Sequence, residues 1–402
     1  MFDHVKPVIS LTGATGFLGS HLMHELLLKG YHVIALGRAT KEESLKERIS
    51  KLLRWFNTKV YFGHLEIVEI DFLKPLLGLS PSNYSALCSK TDQIIHCASD
   101  TCFSQHKRNQ VIEFNVHNLS ELLEFASSAH VNFFYYISTA YVAGISGPVC
   151  KEELPTATEF TNVYEESKAR AEKIINTYCN KNSISMALIR PTIVYGDSKT
   201  GRSLRFNALY HPVRSVVNIR DIYLNDILNH GGKRSHAQGI YLHKDGNLFL
   251  PIRIYLPKNG GINLIPVDYF VNATLKIVEN PVSGDIYHLT NHKAAKLEDI
   301  AVYNEKLMNI KGIEVFYGKP NDSNPRNPAE ELFDRYIAPY RPYLSDDRIF
   351  ESTNTKKVTG NLFPPKFTYQ IFKRCMEYAI EVDWGESLFK QGKEIEPIYQ
   401  NL

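Results

Sequence analysis

The chain carries almost no net charge for its size: 46 lysines and arginines stand against 43 acids in 402 residues, a formal +3. So small an excess gives no sign of a nucleic-acid partner. Nowhere does an apolar run approach the roughly 18 residues of a membrane span. The opening MFDHVKPVISLTG holds an apolar run too short for a secretory signal, and it reads instead as a first strand. The six cysteines, Cys88, Cys97, Cys102, Cys150, Cys179 and Cys375, are scattered, with no CxxC pair and no metal-ligand spacing. Neither a disulfide framework nor a metal site is indicated, and the expectation is reduced thiols in a cytoplasmic protein. Internal repeats and low-complexity tracts are lacking too. What is present, 44% hydrophobic residues, suffices for one large or two smaller domains with a sizeable core.

The first half alternates short β-branched runs with longer helical patterns. Strands are predicted at 8–11, 32–36, 67–70, 93–96, 133–137 and 186–190, and helices at 17–29, 113–129 and 164–180. In the first helix Leu18, Leu22, Leu26 and Leu27 recur on one face. Such alternation predicts an α/β fold, a doubly wound parallel sheet with helices on both faces. After Gly196 the periodicity weakens, and residues 200–260, rich in Asn, His, Tyr, Gly and basic side chains, read as loops and short elements. IPVDYFVNATLKIV returns to helical spacing, and GDIYHLT reads as a strand rejoining the first sheet. Residues 292–402 mix helices with aromatic loops such as YIAPYRPYL. The expected organisation is a cofactor domain of residues 1–200 and 261–291. A smaller lobe is built from two separate segments, 201–260 and 292–402.

TGATGFLG, directly after the first strand, has the form of a dinucleotide pyrophosphate turn. Gly13 permits the tight turn, Gly16 lets backbone approach the phosphates, and Gly19 lets helix and strand pack closely. The following helix directs its positive N-terminal end there. Gly13, Thr15, Gly16, Phe17, Leu18 and Gly19 are therefore the expected cofactor contacts. At the end of the second strand the chain reads ALGRATK, with Arg38 where an NAD enzyme carries an acid. That cation favours the 2′-phosphate of NADPH over NAD, unless Arg38 only stacks on the adenine face. Asp71, after the third strand, is either an adenine ligand or a plain surface carboxylate.

The sequences IST, ending at Thr139, and YEESK, from Tyr164 to Lys168, complete the set. Tyr164 and Lys168, four apart on a helix, share a face. An ammonium beside the phenol is expected to lower its proton affinity, so that Tyr164 exchanges a proton with a carbonyl oxygen. Thr139 gives a second hydrogen bond to that oxygen, while Ser138 is expected to point the other way. Catalysis is thus assigned to Thr139, Tyr164 and Lys168. A dinucleotide-binding regulator would need the turn but not this trio.

With these motifs in this order, the chain resembles the extended short-chain dehydrogenase/reductases, whose fold is of Rossmann type. The resemblance implies that Lys168 also bonds the nicotinamide ribose. It matches Asn115, in FNVHNL, to the asparagine of the middle helix, and Pro191, in RPTIVYG, to the loop that meets the carboxamide. DFLKPLLGLS (71–80) and YGDSKTG (195–201) resemble the thioester reductases and the related fatty acyl-CoA reductases of lipid metabolism. The likeness is good over 8–201, moderate to about 291 and poor beyond.

It implies hydride transfer from NADPH to a thioester carbonyl and collapse of a hemithioacetal to thiol and aldehyde; a second round could give the alcohol. The chain starts at its first strand, so the acyl group is expected in trans, as acyl-CoA or on a separate acyl carrier protein. An epimerase, dehydratase or hydroxysteroid-type dehydrogenase on the same scaffold is the alternative. The basic residues Arg202, Arg205, Arg214, Arg220, Lys233, Arg234 and Lys244 outnumber Asp221 and Asp226 between 201 and 244. They form either a docking surface for CoA or an acidic carrier, or an ordinary solvated stretch. Tyr336, Tyr340 and Tyr343 either line an acyl pocket or pack the small lobe.

Overall fold

The computed structural model describes residues 6–57, 63–145, 147–319 and 325–389. They fall into two compact units, Met1–Val194 with Ile265–His292 and Arg348–Pro364, and Tyr195–Leu264 with Lys293–Asp347 and Pro365–Leu402.

In the first unit seven parallel strands form one sheet. Their order is Ile286–Leu289, Met186–Pro191, Phe133–Ile137, Gln93–His96, Val8–Thr12, His32–Gly37 and Leu65–Glu69. Helices cover both faces, so the central strands are buried along their whole length, as an all-parallel sheet requires. Alternation along Phe133–Ile137 sends Tyr135 and Ile137 into one core and Phe134 and Tyr136 into the other. Helix Val163–Lys181 belongs to the second face through Ala171, Ile175 and Cys179, and so faces Tyr136. The strand order reverses between Val8–Thr12 and Gln93–His96, which opens a crevice at their carboxyl ends.

GDIYHLT does rejoin this sheet, as the edge strand Ile286–Leu289. A buried network holds it there. Arg190 donates to both Glu172 oxygens at 2.9 and 2.6 Å, and its Nη1 lies 3.1 Å from His288 Nε2. Glu351 O accepts from His288 Nδ1 at 2.7 Å, so the ring is neutral, and burial holds its pKa down to about 3.

Residues 348–364 also lie with this unit, although the sequence reading groups all of 292–402 with the small lobe. The Glu152 carboxylate accepts from the backbone N–H groups of His288, Asn354 and Thr355, and from the Thr355 hydroxyl. Val358 and Leu362 pack on the first core. These are single contacts across some 200 residues of chain, and they leave no local periodic signal.

The second unit departs from the expectation of loops over 200–260. It contains the 20-residue helix Tyr210–Asn229 and the nine-residue strand Leu248–Leu256. Pro212 looks like a breaker, yet it stands in the first turn, where no helical acceptor awaits its missing N–H. Leu248–Leu256 alternates buried and half-buried residues and pairs in parallel with Ile310–Tyr317. Pro251 lies where the strand's other side is closed by side chains. Asn327 donates to Pro251 O, Arg341 donates to Tyr255 O, and Glu330 accepts from Arg253 N. Tyr336 and Tyr340 pack around His211, and Tyr343 is buried. Arg214 pairs with Glu386 and Arg220 with Asp221, so these two cations are already neutralised locally. Among the described residues, no helix is long and apolar enough to cross a membrane.

Candidate active site

The glycine turn stands at the crevice. Gly13 has φ +76°, and a Cβ there would lie 2.6 Å from Ala98 N; one on Gly19 would lie 2.2 Å from Gly13 O. Both positions exclude a side chain on the protein's own account. Gly16 is different: its added Cβ would meet only Gly13 O, at 3.2 Å, so its bareness leaves room for something outside the chain. Helix Phe17–Leu28 starts at Gly16 with no side-chain cap. Its first turn, through Phe17, Leu18 and Gly19, is thus a ready anion seat. These features fit a dinucleotide pyrophosphate.

After the second strand Arg38 is exposed and lies over the Phe114 ring, 5.1 Å from its centroid. A second cation, not singled out in the sequence, joins it. Arg48 donates to Thr15 Oγ1 at 2.8 Å and to Arg38 O at 3.0 Å. Its signal was only an arginine in the first turns of helix Leu45–Trp55, whose buried face is Leu45, Ile49, Leu52 and Leu53. Asp71 accepts from Leu73 N at 3.0 Å and sits 3.4 Å from Lys74. It organises a tight loop in which Leu76 and Leu77 both adopt left-handed φ of 56°.

Helix Val163–Lys181 is capped by Asn162, which accepts from Glu165 N at 3.1 Å. That places Tyr164 in the first turn and Lys168 one turn on. Lys168 is 2% exposed; its ammonium donates to Tyr136 Oη at 3.1 Å and to Ile137 O at 2.7 Å. The expected lowering of the Tyr164 pKa does not hold in this arrangement. Burial pushes the phenol up, aided by Cys97 and Glu165, while two of the Lys168 donors go to the strand. Burial lowers Lys168 itself to about 8, against the opposing pull of Cys97 and Glu172. Cys97 is the second group the sequence did not mark. Its thiol is pushed up to about 12 by burial, with Lys168 acting the other way, so it is an inert neighbour of the pair.

Thr139 lies two residues past the strand Phe133–Ile137 and caps the short turn Ala140–Ala143. Its hydroxyl accepts from Tyr141 N at 3.4 Å and donates to Pro191 O at 3.5 Å. Both contacts are long, which leaves the hydroxyl available to a stronger acceptor. Ser138 Oγ is buried with no hydrogen-bond partner among the described residues. Asn115 sits in a wide turn, Glu113–His117, and its amide is fully engaged. It accepts from Ser99 Oγ and Asp100 N and donates to Asp100 O and Ser167 Oγ. Asn115 thereby ties the loop after Gln93–His96 to the helix of Tyr164. Among the described residues no cluster of metal-ligating side chains occurs.

Fold and site together define an extended short-chain dehydrogenase/reductase. Residues 11–274 match the NAD-binding family described as male sterility protein, and the chain belongs to that family.

Among curated proteins it is 24% identical over 301 residues to a linear gramicidin synthase protein of Brevibacillus parabrevis. It is 26% identical over 316 residues to the L-2-aminoadipate reductase large subunit of Candida glabrata. Each match covers 72% of this chain but only 5% and 20% of those proteins, so the chain spans a small part of their length. The terminal R domain of the myxalamid PKS-NRPS pathway superposes with a TM-score of 0.72 at 21% identity, covering 95% of this chain and 92% of that one. A thiolation-reductase di-domain of an archaeal non-ribosomal peptide synthetase gives 0.69 at 16% identity, covering 95% and 76%. At these identities the superpositions speak to the fold.

Proposed function

We propose that the protein is an NADPH-dependent reductase that takes the thioester of a carrier-bound acyl group or acyl-CoA to the aldehyde, with the alcohol as a second product. The observation that carries this reading is the buried Lys168 one helical turn from Tyr164, in the same unit as the glycine turn at the sheet's switch point. Bound NADPH supplies the hydride. The chain's own part is to hold the carbonyl oxygen between Thr139 and Tyr164 and to give it a proton from the phenol. A phenol kept protonated by burial suits a donor in the reductive direction. Lys168 would hold the ribose, Pro191 would meet the carboxamide, and Asp71 would meet the adenine. Arg38 and Arg48 flank the place of the 2′-phosphate and favour NADPH over NADH. Six cysteines, none in a disulfide, suit a reducing cytoplasm.

The choice of a thioester over a sugar nucleotide is supported by the curated relatives, a linear gramicidin synthase protein and an L-2-aminoadipate reductase. The test is NADPH oxidation by the purified chain with long-chain acyl-CoA, acylated carrier protein and UDP-sugars in parallel, with released thiol and product followed. Thiol release matched to the sum of aldehyde and alcohol is the expected result. Turnover of a UDP-sugar with no response to any thioester overturns the reading.

A further inference from the structure

The ammonium of Lys168 is held from consecutive residues of one strand, the Tyr136 hydroxyl and the Ile137 carbonyl. An ammonium has three N–H donors, so two are committed to the strand and one remains. The Tyr136 side of this grip is itself braced. Its ring stacks on His96 at 5.6 Å and 19°, and His96 Nδ1 lies 2.7 Å from Thr12 Oγ1. Thr12 Oγ1 also accepts from Cys97 N at 3.2 Å and Ala98 N at 3.3 Å. With both lone pairs used, its proton goes to Nδ1, and His96 is neutral with its own proton on Nε2. A chain of contacts therefore runs from the end of the first strand, beside Gly13, to the lysine.

We propose that Tyr136 is a positioning residue for Lys168: its phenol, backed by His96 and Thr12, fixes the ammonium so that one donor is kept for the cofactor ribose. The proposal rests on the assignment of Lys168 to that ribose. A phenol is a better seat than an aliphatic side chain because it accepts a hydrogen bond without adding a competing charge. The ring also lies 4.3 Å from the ammonium and offers its electron-rich face.

The groups facing Lys168 are Tyr136, Tyr164, Cys97, His96 and Glu172. Glu172 is locked by Arg190, and burial keeps the two tyrosines, Cys97 and His96 neutral near pH 8. Losing the Tyr136 hydroxyl removes an acceptor that only the charged lysine uses fully, so the neutral lysine gains ground at lower pH.

The test is Tyr136→Phe, which keeps the ring and its stack. Expected are a kcat loss of about 10-fold and a KM for thioester near wild type. The alkaline limb of the kcat/KM profile should move down by roughly one pH unit. NADPH binding should weaken in Tyr136→Phe but change no further when Tyr136→Phe is added to Lys168→Ala. Wild-type kcat and pH profile in Tyr136→Phe, with Lys168→Ala inactive, overturn this inference and leave the reductase reading intact. Wild-type turnover in Lys168→Ala overturns the reading itself. Should Tyr136→Phe lower thermal stability, the binding cycle decides: an equal cost with and without Lys168 means that Tyr136 only packs.

Discussion

Arg48 lies against Thr15, donating to its hydroxyl at 2.8 Å from 33 residues further along the chain. This contact brings a second cation to the glycine turn and sets it beside the backbone of Arg38. If the protein takes NADPH as proposed, cofactor choice rests on two arginines rather than one. Losing one charge-assisted contact to phosphate costs about 1.5–3 kcal/mol. Arg38→Ala and Arg48→Ala should each weaken NADPH by at least tenfold and leave NADH nearly unchanged. Fluorescence titration of both cofactors checks this; equal wild-type affinity for the two would sink the assignment.

Tyr164→Phe should reduce turnover by about 10²–10⁴ with cofactor affinity little changed, since only the proton donor is removed. Lys168→Ala should harm both. Single-turnover assays beside cofactor titrations separate the two effects. Half of wild-type activity in Tyr164→Phe would remove the phenol from the mechanism.

The buried Lys168, lowered to about 8, gives activity and stability opposite pH trends. Activity needs the ammonium and should fall as pH rises through about 8. Stability runs the other way, because the unfolded chain binds the proton more tightly than the native one. Between pH 8 and 10 the cofactor-free protein should therefore lose less stability than Lys168→Met, which lacks this gain. The full difference is on the order of 3 kcal/mol. Urea titrations across that range read it directly, and parallel curves for the two proteins would show that Lys168 titrates normally.

Glu152 is a single carboxylate serving four donors, the N–H groups of His288, Asn354 and Thr355 and the Thr355 hydroxyl. Glu152→Ala should destabilise the first unit by about 2–4 kcal/mol, since several half-buried donors lose their acceptor at once. A reduced urea midpoint with increased proteolysis near residues 348–364 is the expected outcome. An unchanged midpoint would mean that water replaces the carboxylate.

Local pattern carried much of this protein. The β-branched runs became strands of one parallel sheet because a strand buried on both faces must be apolar throughout. TGATGFLG, IST and YEESK were legible because each needs a fixed backbone form at fixed spacing: a positive φ at Gly13, a strand end, and one helical turn between Tyr164 and Lys168. The second unit was harder to read. Pro212 and scattered polar residues hid a 20-residue helix whose order comes from packing rather than propensity.

Only the tertiary structure decided which groups meet. Arg48 with Thr15, Glu152 with the 353–359 helix, and Tyr136 with Lys168 join residues whose separation carries no periodicity. The Tyr164 phenol shows the limit most plainly. Sequence spacing put an ammonium near it and predicted an acidic phenol, but a pKa depends on burial and on where each donor points. Burial of the phenol is decided by the packing around it, not by the spacing of four between Tyr164 and Lys168.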